Sequence, residues 1–408
     1  MIMRYKAAAI VIALVLASSL ACSSAEEQPE SAAPVAEAAV ETAGAAPEGA
    51  TYPAPGTGVL LFTIGMHIEP LGATVSSLAG GGGAVGQGAG AAQGANAGQG
   101  TSAAAGQGAN AAQGAAAQSN KPANYNNQQF FQRHVQDILT LTGMVERHGG
   151  SMTIQAQTPF TSVAASSGNT ILADLAARGH EIGLHFHEDA HLGKNTDSLP
   201  PETWCAVMKE EIALLQQASG LGSGDIRYWS GGNLYPNLLA AASCAGLDVN
   251  SDWKNPKEQS TVAELIGNHP WRPAGSSNGN DVSQFARHDA NGLVVFLPEG
   301  QYGRGDFASM RRSQSAGGDE AYFEFLKQSL MDSLAAVDPD KVNVFHFTVH
   351  PGEFKGSVQD PFAVIERFLT EVVDPLVASG QVEWATLSEM ADTFAGWERT
   401  HPGEDPKA

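Results

Sequence analysis

The chain runs to 408 residues with 43% hydrophobic side chains, enough for two ordinary domains or one large α/β domain with tails. Only 16% of residues are charged while 46 are glycine, which points to a globular part mixed with low-complexity sequence. Its 22 lysines and arginines face 43 acidic residues, a net charge of −21 that excludes nucleic acid as a partner, because duplex binding needs cations that displace counterions from phosphates.

At the start, Arg4 and Lys6 lead into an apolar run over 7–17, and small residues follow up to Cys22. A charged start, a short apolar core and a small-residue exit predict a secretory signal over 1–21, too short for a comfortable membrane span. The end Ser19-Leu20-Ala21-Cys22 resembles the lipobox of bacterial lipoproteins, which implies acylation of Cys22 and a membrane anchor. Ordinary secretion with a chance cysteine is the alternative. Residues 22–57 are rich in Ala, Pro and Glu without Lys or Arg, and read as a flexible acidic tether.

The body, 58–397, reads as one domain ahead of a tail at 398–408. It opens on the apolar run 58–66 (GVLLFTIGM), the pattern of a strand buried on both faces. Residues 73–120 are uncharged Gly, Ala, Gln, Asn and Ser with imperfect repeats, and predict a disordered insertion. Beyond it, Phe131, Val135, Ile138, Leu139 and Thr142 keep helical spacing until His148-Gly149-Gly150, and a short strand follows over 151–155. A helix over 170–178, capped by Asn169, precedes a strand over 180–187. Trp204, Met208, Ile212 and Leu215 mark a helix, followed by a strand at 226–229, a helix at 236–245 and a strand at 247–251. Later apolar runs lie at 293–297, 342–349 and 382–387, with helices between them. This alternation predicts a distorted (β/α) barrel of seven or eight parallel strands. Cys205 and Cys244 are either a disulfide, as an exported protein permits, or two separate buried thiols.

The chemistry gathers at strand ends. Alternation puts His67 and Glu69 on one face after the first strand. His185 and His187 share a face at another strand end, with His191 four residues on, and His346 and His350 close a late strand ahead of Glu353. Imidazoles with a carboxylate suit zinc or a similar divalent ion, with one position open for water. The spacing leaves the ligands open among His67, Glu69, His185, His187 and His191.

GHEIGLHFHEDAHL at 179–192, behind the helix ILADLAARG, resembles the second motif of the polysaccharide deacetylase superfamily. The resemblance extends to VERHGGSMTIQ, RYWSGGN, FTVHPGEF and WATLSEMADTF in the same order, over about 58–72 and 122–395. It implies a distorted (β/α) barrel, a divalent metal, and hydrolysis of N- or O-acetyl groups on sugars. His67 and Glu69 fall where the first motif normally carries its acidic pair, so that motif is diverged. In the second motif His185 is implied as the first ligand. The place of the second histidine holds Asp189, so a His-x-His arrangement with His187 is implied, with His191 as fallback. The third motif retains Arg227 but continues as Gly231-Gly232-Asn233, and His350 matches the late general acid.

The favoured expectation is therefore a metal-dependent hydrolase of acylated carbohydrate. Glu69 (or His67 with Glu69 free) takes the proton of the attacking water, His350 protonates the leaving group, and Arg227 orients the base. Trp229, Trp271 and Asn233 are candidates for sugar contact, though for each tryptophan a place in the core is the stronger reading. The alternative is a non-catalytic carbohydrate-binding lipoprotein on the same scaffold; a barrel glycoside hydrolase lacks an obvious second carboxylate. No feature of the sequence assigns an oligomeric state.

Overall fold

The computed structural model describes residues 58–68, 125–193, 196–222, 224–231, 235, 237–251, 265–274, 282–301, 307–351 and 362–408. All lie within the unit Ala43–Ala408. The expected signal, Cys22, the tether, Glu69, the insertion at 73–120, Asn233 and Glu353 fall outside the described residues.

Among the described residues one parallel sheet carries eight strands: β1 (Leu60–Ile68), β2 (Thr153–Ala156), β3 (Glu181–His185), β4 (Tyr228–Ser230), β5 (Val249–Asn250), β6 (Val295–Phe296), β7 (Asn343–Val349) and β8 (Val382–Trp384). Their order is β6-β5-β4-β3-β2-β1-β7, with β8 on β1. The helices that link them are α1 (Gln128–Arg147), α2 (Phe160–Ser167), α3 (Ile171–Ala177), α4 (Glu188–Leu192), α5 (Pro201–Ser219), α6 (Leu238–Ala245), α7 (Val282–Phe285), α8 (Phe307–Ala335), α9 (Ala363–Phe368), α10 (Asp374–Ala378) and α11 (Leu387–Thr400). This is the expected barrel-like α/β architecture. It is distorted at the β6/β7 seam, where a short segment bridges antiparallel to Phe296 and Gly300 through Trp271 and Gly267. On the other side of that segment the Asn268 carbonyl accepts the Val344 N–H at 2.8 Å.

β1 is apolar on both faces because it is buried on both. Phe62, Ile64 and Met66 belong to the large outer cluster beneath the helices. On the interior side, Tyr228, Val249, Val295, Leu297 and Val344 pack with Leu387, Met390, Ala391 and Phe394 of α11. Helix α11 thus plugs the end where the strands enter. A capping box of Thr386 and Glu389 fixes its start, and its first N–H groups reach the interior, Leu387 to Thr153 Oγ1 (3.1 Å) and Ser388 to Glu181 Oε2 (3.2 Å). The apolar plug leaves the exit end of the strands for polar chemistry.

Several elements differ from the expectation. Helix α2 falls in a stretch to which the sequence pattern assigns no element, because Phe160–Ser167 carries mostly small residues behind Pro159 and little apolar periodicity. Asn169 does cap α3, though from one position further out, its Oδ1 accepting the Ile171 N–H at 3.0 Å. Residues 398–408 are no loose tail: α11 runs on to Thr400, and the Lys407 ammonium lies 3.7 Å over the Trp271 ring. Cys205 and Cys244 form a disulfide that ties α5 to α6.

Candidate active site

The register of the parallel ladder brings the strand-end residues together. His67 on β1 pairs with Gln155 on β2, Gln155 with Gly183 on β3, and His185 with Ser230 on β4. Partners in register face the same way, so His67, Gln155, His185 and Ser230 all point inward at the exit end. Thr348 pairs with Gly65, and His350 follows directly on β7.

Three histidines and one serine make the centre of this end. The His67 and His185 rings stack with centroids 3.9 Å apart. The Ser230 hydroxyl lies between them, 3.0 Å from His67 Nε2 and 2.9 Å from His185 Nδ1. His350 meets His67 edge-on at 5.2 Å, and His187 meets His185 edge-on at 4.6 Å. His67, His185 and His350 are almost fully buried, while His187 is half-buried. Gly231, at φ +80°, lets the chain leave β4 tightly: a Cβ there would sit 2.9 Å from His185 Cε1.

Behind this cluster lies a second buried network. The His191 Nδ1–H donates to the His187 carbonyl at 2.7 Å, and its ring stacks on Phe186 at 4.4 Å. Its Nε2 lies 3.8 Å from Glu211 Oε2. Glu211 accepts the Thr158 N–H (3.1 Å) and hydroxyl (2.9 Å), and burial pushes its carboxyl above the usual range. His191 thus props the turn that presents His187.

Among the described residues no group of three His, Cys, Asp or Glu side chains is placed to hold a metal ion. His67 and His185 present ring faces to each other, and one nitrogen of each already meets the Ser230 hydroxyl. These residues by themselves do not fit a resident metal ion. Glu69 lies outside the described residues, as does the side chain of Asp189.

Three expected roles need correction. Arg227 is at the opposite end of the barrel, one residue before β4, where its guanidinium pairs with Asp248 (3.0 Å) and with Asp392 of α11 (2.9 Å). It cannot orient a base at the strand exits. Arg227→Ala is expected to leave turnover unchanged and to cost about 1 kcal/mol or less, because such exposed pairs are screened by solvent; kcat and a urea midpoint check both. Trp229 is fully buried in the outer cluster, and Trp271 is buried with its Nε1–H donated to the Phe285 carbonyl at 2.7 Å. Both tryptophans are core residues, so neither offers a sugar platform.

His346 sits deeper on β7, and desolvation drives its imidazole down to about 4 against an opposing hydrogen bond with the Leu297 backbone. It is neutral in the fold but titrates near its ordinary 6.5 when unfolded. The unfolded chain therefore binds more protons below that pH, and stability is expected to fall between about 6.5 and about 4. His346→Gln should flatten that stretch of a stability-against-pH curve.

The sequence pattern passed over Ser230 and Gln155. The only signal for Ser230 was its place between an apolar strand and two glycines; Gln155 was visible as a polar residue within a short apolar strand. A groove of about 520 Å³ along Arg272, His288, Glu398 and Arg399 involves none of the cluster.

No family model matches the chain, and no curated protein matches it. Solved structures with a similar chain path include two proteins given as polysaccharide deacetylases. That from Mycobacterium smegmatis is 12% identical, with a TM-score of 0.46 over 85% of this chain and 96% of the other. That from Pseudomonas aeruginosa PAO1 is 14% identical, with a TM-score of 0.48 over 85% and 94%. A PuuE allantoinase is 14% identical, with a TM-score of 0.47 over 86% and 94%.

Proposed function

We propose that the protein is a hydrolase that removes an acyl group, acetyl first, from a carbohydrate of the cell envelope or its surroundings. The observation that carries this reading is the His67–Ser230–His185 constellation with His350 at its edge. It is built at the barrel end that hosts active sites in this architecture. His185 and His350 also stand in two of the segments that resemble the deacetylase motifs.

The chemistry follows from one hydroxyl hydrogen. Ser230 donates it to one imidazole nitrogen and accepts an N–H from the other ring, which sets His67 and His185 in complementary tautomers. A ring nitrogen of the pair takes the proton of a water as that water attacks the acyl carbonyl. His350 then protonates the departing nitrogen or oxygen. General acid–base assistance of this kind contributes about 10²–10⁴-fold. A zinc-type ion, expected from the sequence, would draw ligands from beyond the described residues, and no step here is routed through one.

The proposed location is outside the cytoplasm, with Cys22 as the lipid-anchoring residue. The signal-like start supports export, and the Cys205–Cys244 disulfide is consistent with an oxidising compartment. The test is acetate release by the purified chain from N- and O-acetylated oligosaccharides and a chromogenic acetyl ester, with and without a chelator. Turnover supports the hydrolase. Glycan binding with no acetate released from any substrate would make the chain a carbohydrate-binding surface protein instead.

A further inference from the structure

We infer that Glu211 is a positioning residue of the site: through His191 it fixes the backbone of His187, and so the direction in which that histidine stands beside His185; the inference rests on the hydrolase reading. His187 is half-buried while His67, His185 and His350 are almost fully buried, so it is the histidine of the cluster that a ligand arriving from solvent meets first. It stands at the edge of the His185 ring, with 4.6 Å between centroids. An error in its direction is passed to the ring that bonds the Ser230 hydroxyl.

The His187 carbonyl accepts two hydrogens from one residue. The His191 backbone N–H reaches it at 2.9 Å and the His191 Nδ1–H at 2.7 Å, which occupies both lone pairs and fixes the plane of the peptide bond after His187. The Nδ1 bond exists in only one of the two orientations of the ring. Turned over about its Cβ–Cγ bond, the ring would bring a carbon to the carbonyl instead. Phe186, stacked at 4.4 Å and nearly parallel, holds the plane of the ring but is indifferent to that turn. Glu211 is not: Nε2 faces its Oε2 at 3.8 Å, and the turn would put a carbon where Nε2 stands. At this distance the tie is charge attraction and not a hydrogen bond.

The carboxylate is itself held in place. It accepts the Thr158 N–H at 3.1 Å and the Thr158 hydroxyl at 2.9 Å, just beyond the end of β2. A buried carboxylate beside a buried imidazole is no better for stability than an apolar pair of the same volume. Helix α5 does not need it for packing, being seated by the fully buried Trp204, Met208 and Leu215 and tied by the Cys205–Cys244 disulfide. Helix α4, by contrast, has only five residues, too few to set its own position. The line from Thr158 through Glu211 and His191 to the His187 carbonyl supplies that position.

Glu211→Gln keeps the size of the side chain and an oxygen for the Thr158 N–H while removing the charge that faces Nε2. The full chain is followed by NMR of its histidine rings, which needs no turnover, and by acetate release. In the wild type the His191 Nδ1–H should appear as a slowly exchanging proton. In Glu211→Gln it should broaden or vanish, and the His187 ring signals should spread over more than one orientation, while unfolding stays cooperative. The variant's kcat should fall about tenfold or more with KM within about twofold, because a misplaced group costs turnover more than binding. Glu211→Asp, which keeps the charge on a shorter stem, should lose less of both, and serves if the glutamine variant does not fold. An Nδ1–H that persists in Glu211→Gln would overturn the inference, whatever kcat does, and leave Glu211 as a cap for Thr158 alone. Loss of the Nδ1–H with kcat unchanged would overturn it as well. Loss of the Nδ1–H in a chain whose wild type releases no acetate would support the positioning line while removing the hydrolase reading.

Discussion

His185→Ala is expected to lower acetate release by about 10²–10⁴-fold, the range for loss of a positioned acid or base. It bonds Ser230, stacks on His67 and meets His187 edge-on, at the middle of the cluster. Its removal takes away a proton acceptor and also frees the Ser230 hydroxyl to reorient on His67. The effect should therefore fall mainly on kcat, with KM moving less. His185→Asn, which keeps a polar group near Ser230, should recover part of the geometry and little of the rate. A kcat within about threefold of wild type, in a variant whose thermal unfolding stays cooperative, would remove His185 from the chemistry.

Cys205→Ala with Cys244→Ala is expected to cost about 4 kcal/mol. The two cysteines are 39 residues apart, and closing a loop of that length restricts the unfolded chain by roughly this amount. The closed segment holds β4 and Ser230, and it starts and ends in the packed pair α5 and α6. A urea midpoint measured for the double variant, and for wild type with and without reductant, checks the figure. Reduction should move the wild type to the variant's midpoint. A shift below about 1 kcal/mol would mean that α5–α6 packing alone holds this segment in both states.

The strands buried on both faces were the most legible part of the fold. β1 and β7 are long apolar runs because each is covered by helices outside and by the barrel interior within. β5 and β6 shrink to two residues each although their apolar runs are longer, since the run records burial and the ladder records hydrogen bonds. Pairing of β8 with β1 was illegible, because no local pattern names a partner 322 residues away. The same division holds at the site. Alternation alone places His185 and His187 on one side of their strand, whereas the Ser230 link depends on the β3–β4 register. Arg227 shows the cost of reading a motif without its direction. Three residues at about 3.3 Å each separate it from Ser230, which carries it from the exit end of β4 to the entry end.

The way β1 is shared has a consequence for the order in which the molecule assembles. One edge of β1 belongs to β7, and the other is divided between β8 at Leu60–Phe62 and β2 at Gly65–Ile68. The first strand to leave the ribosome thus waits for residues 343–384 before both edges are satisfied. Topologies dominated by such distant pairings fold slowly, because loop closure comes before the contacts that repay it. The middle of the sheet, β2 to β4 with α3 and α5, can pair while the chain is still growing. β1, and His67 with it, is therefore expected to be fully paired only once β7 and β8 have joined. A nascent chain truncated before β7 should carry the β2–β4 unit with an unprotected β1, a state that pulsed hydrogen exchange on stalled chains would show directly.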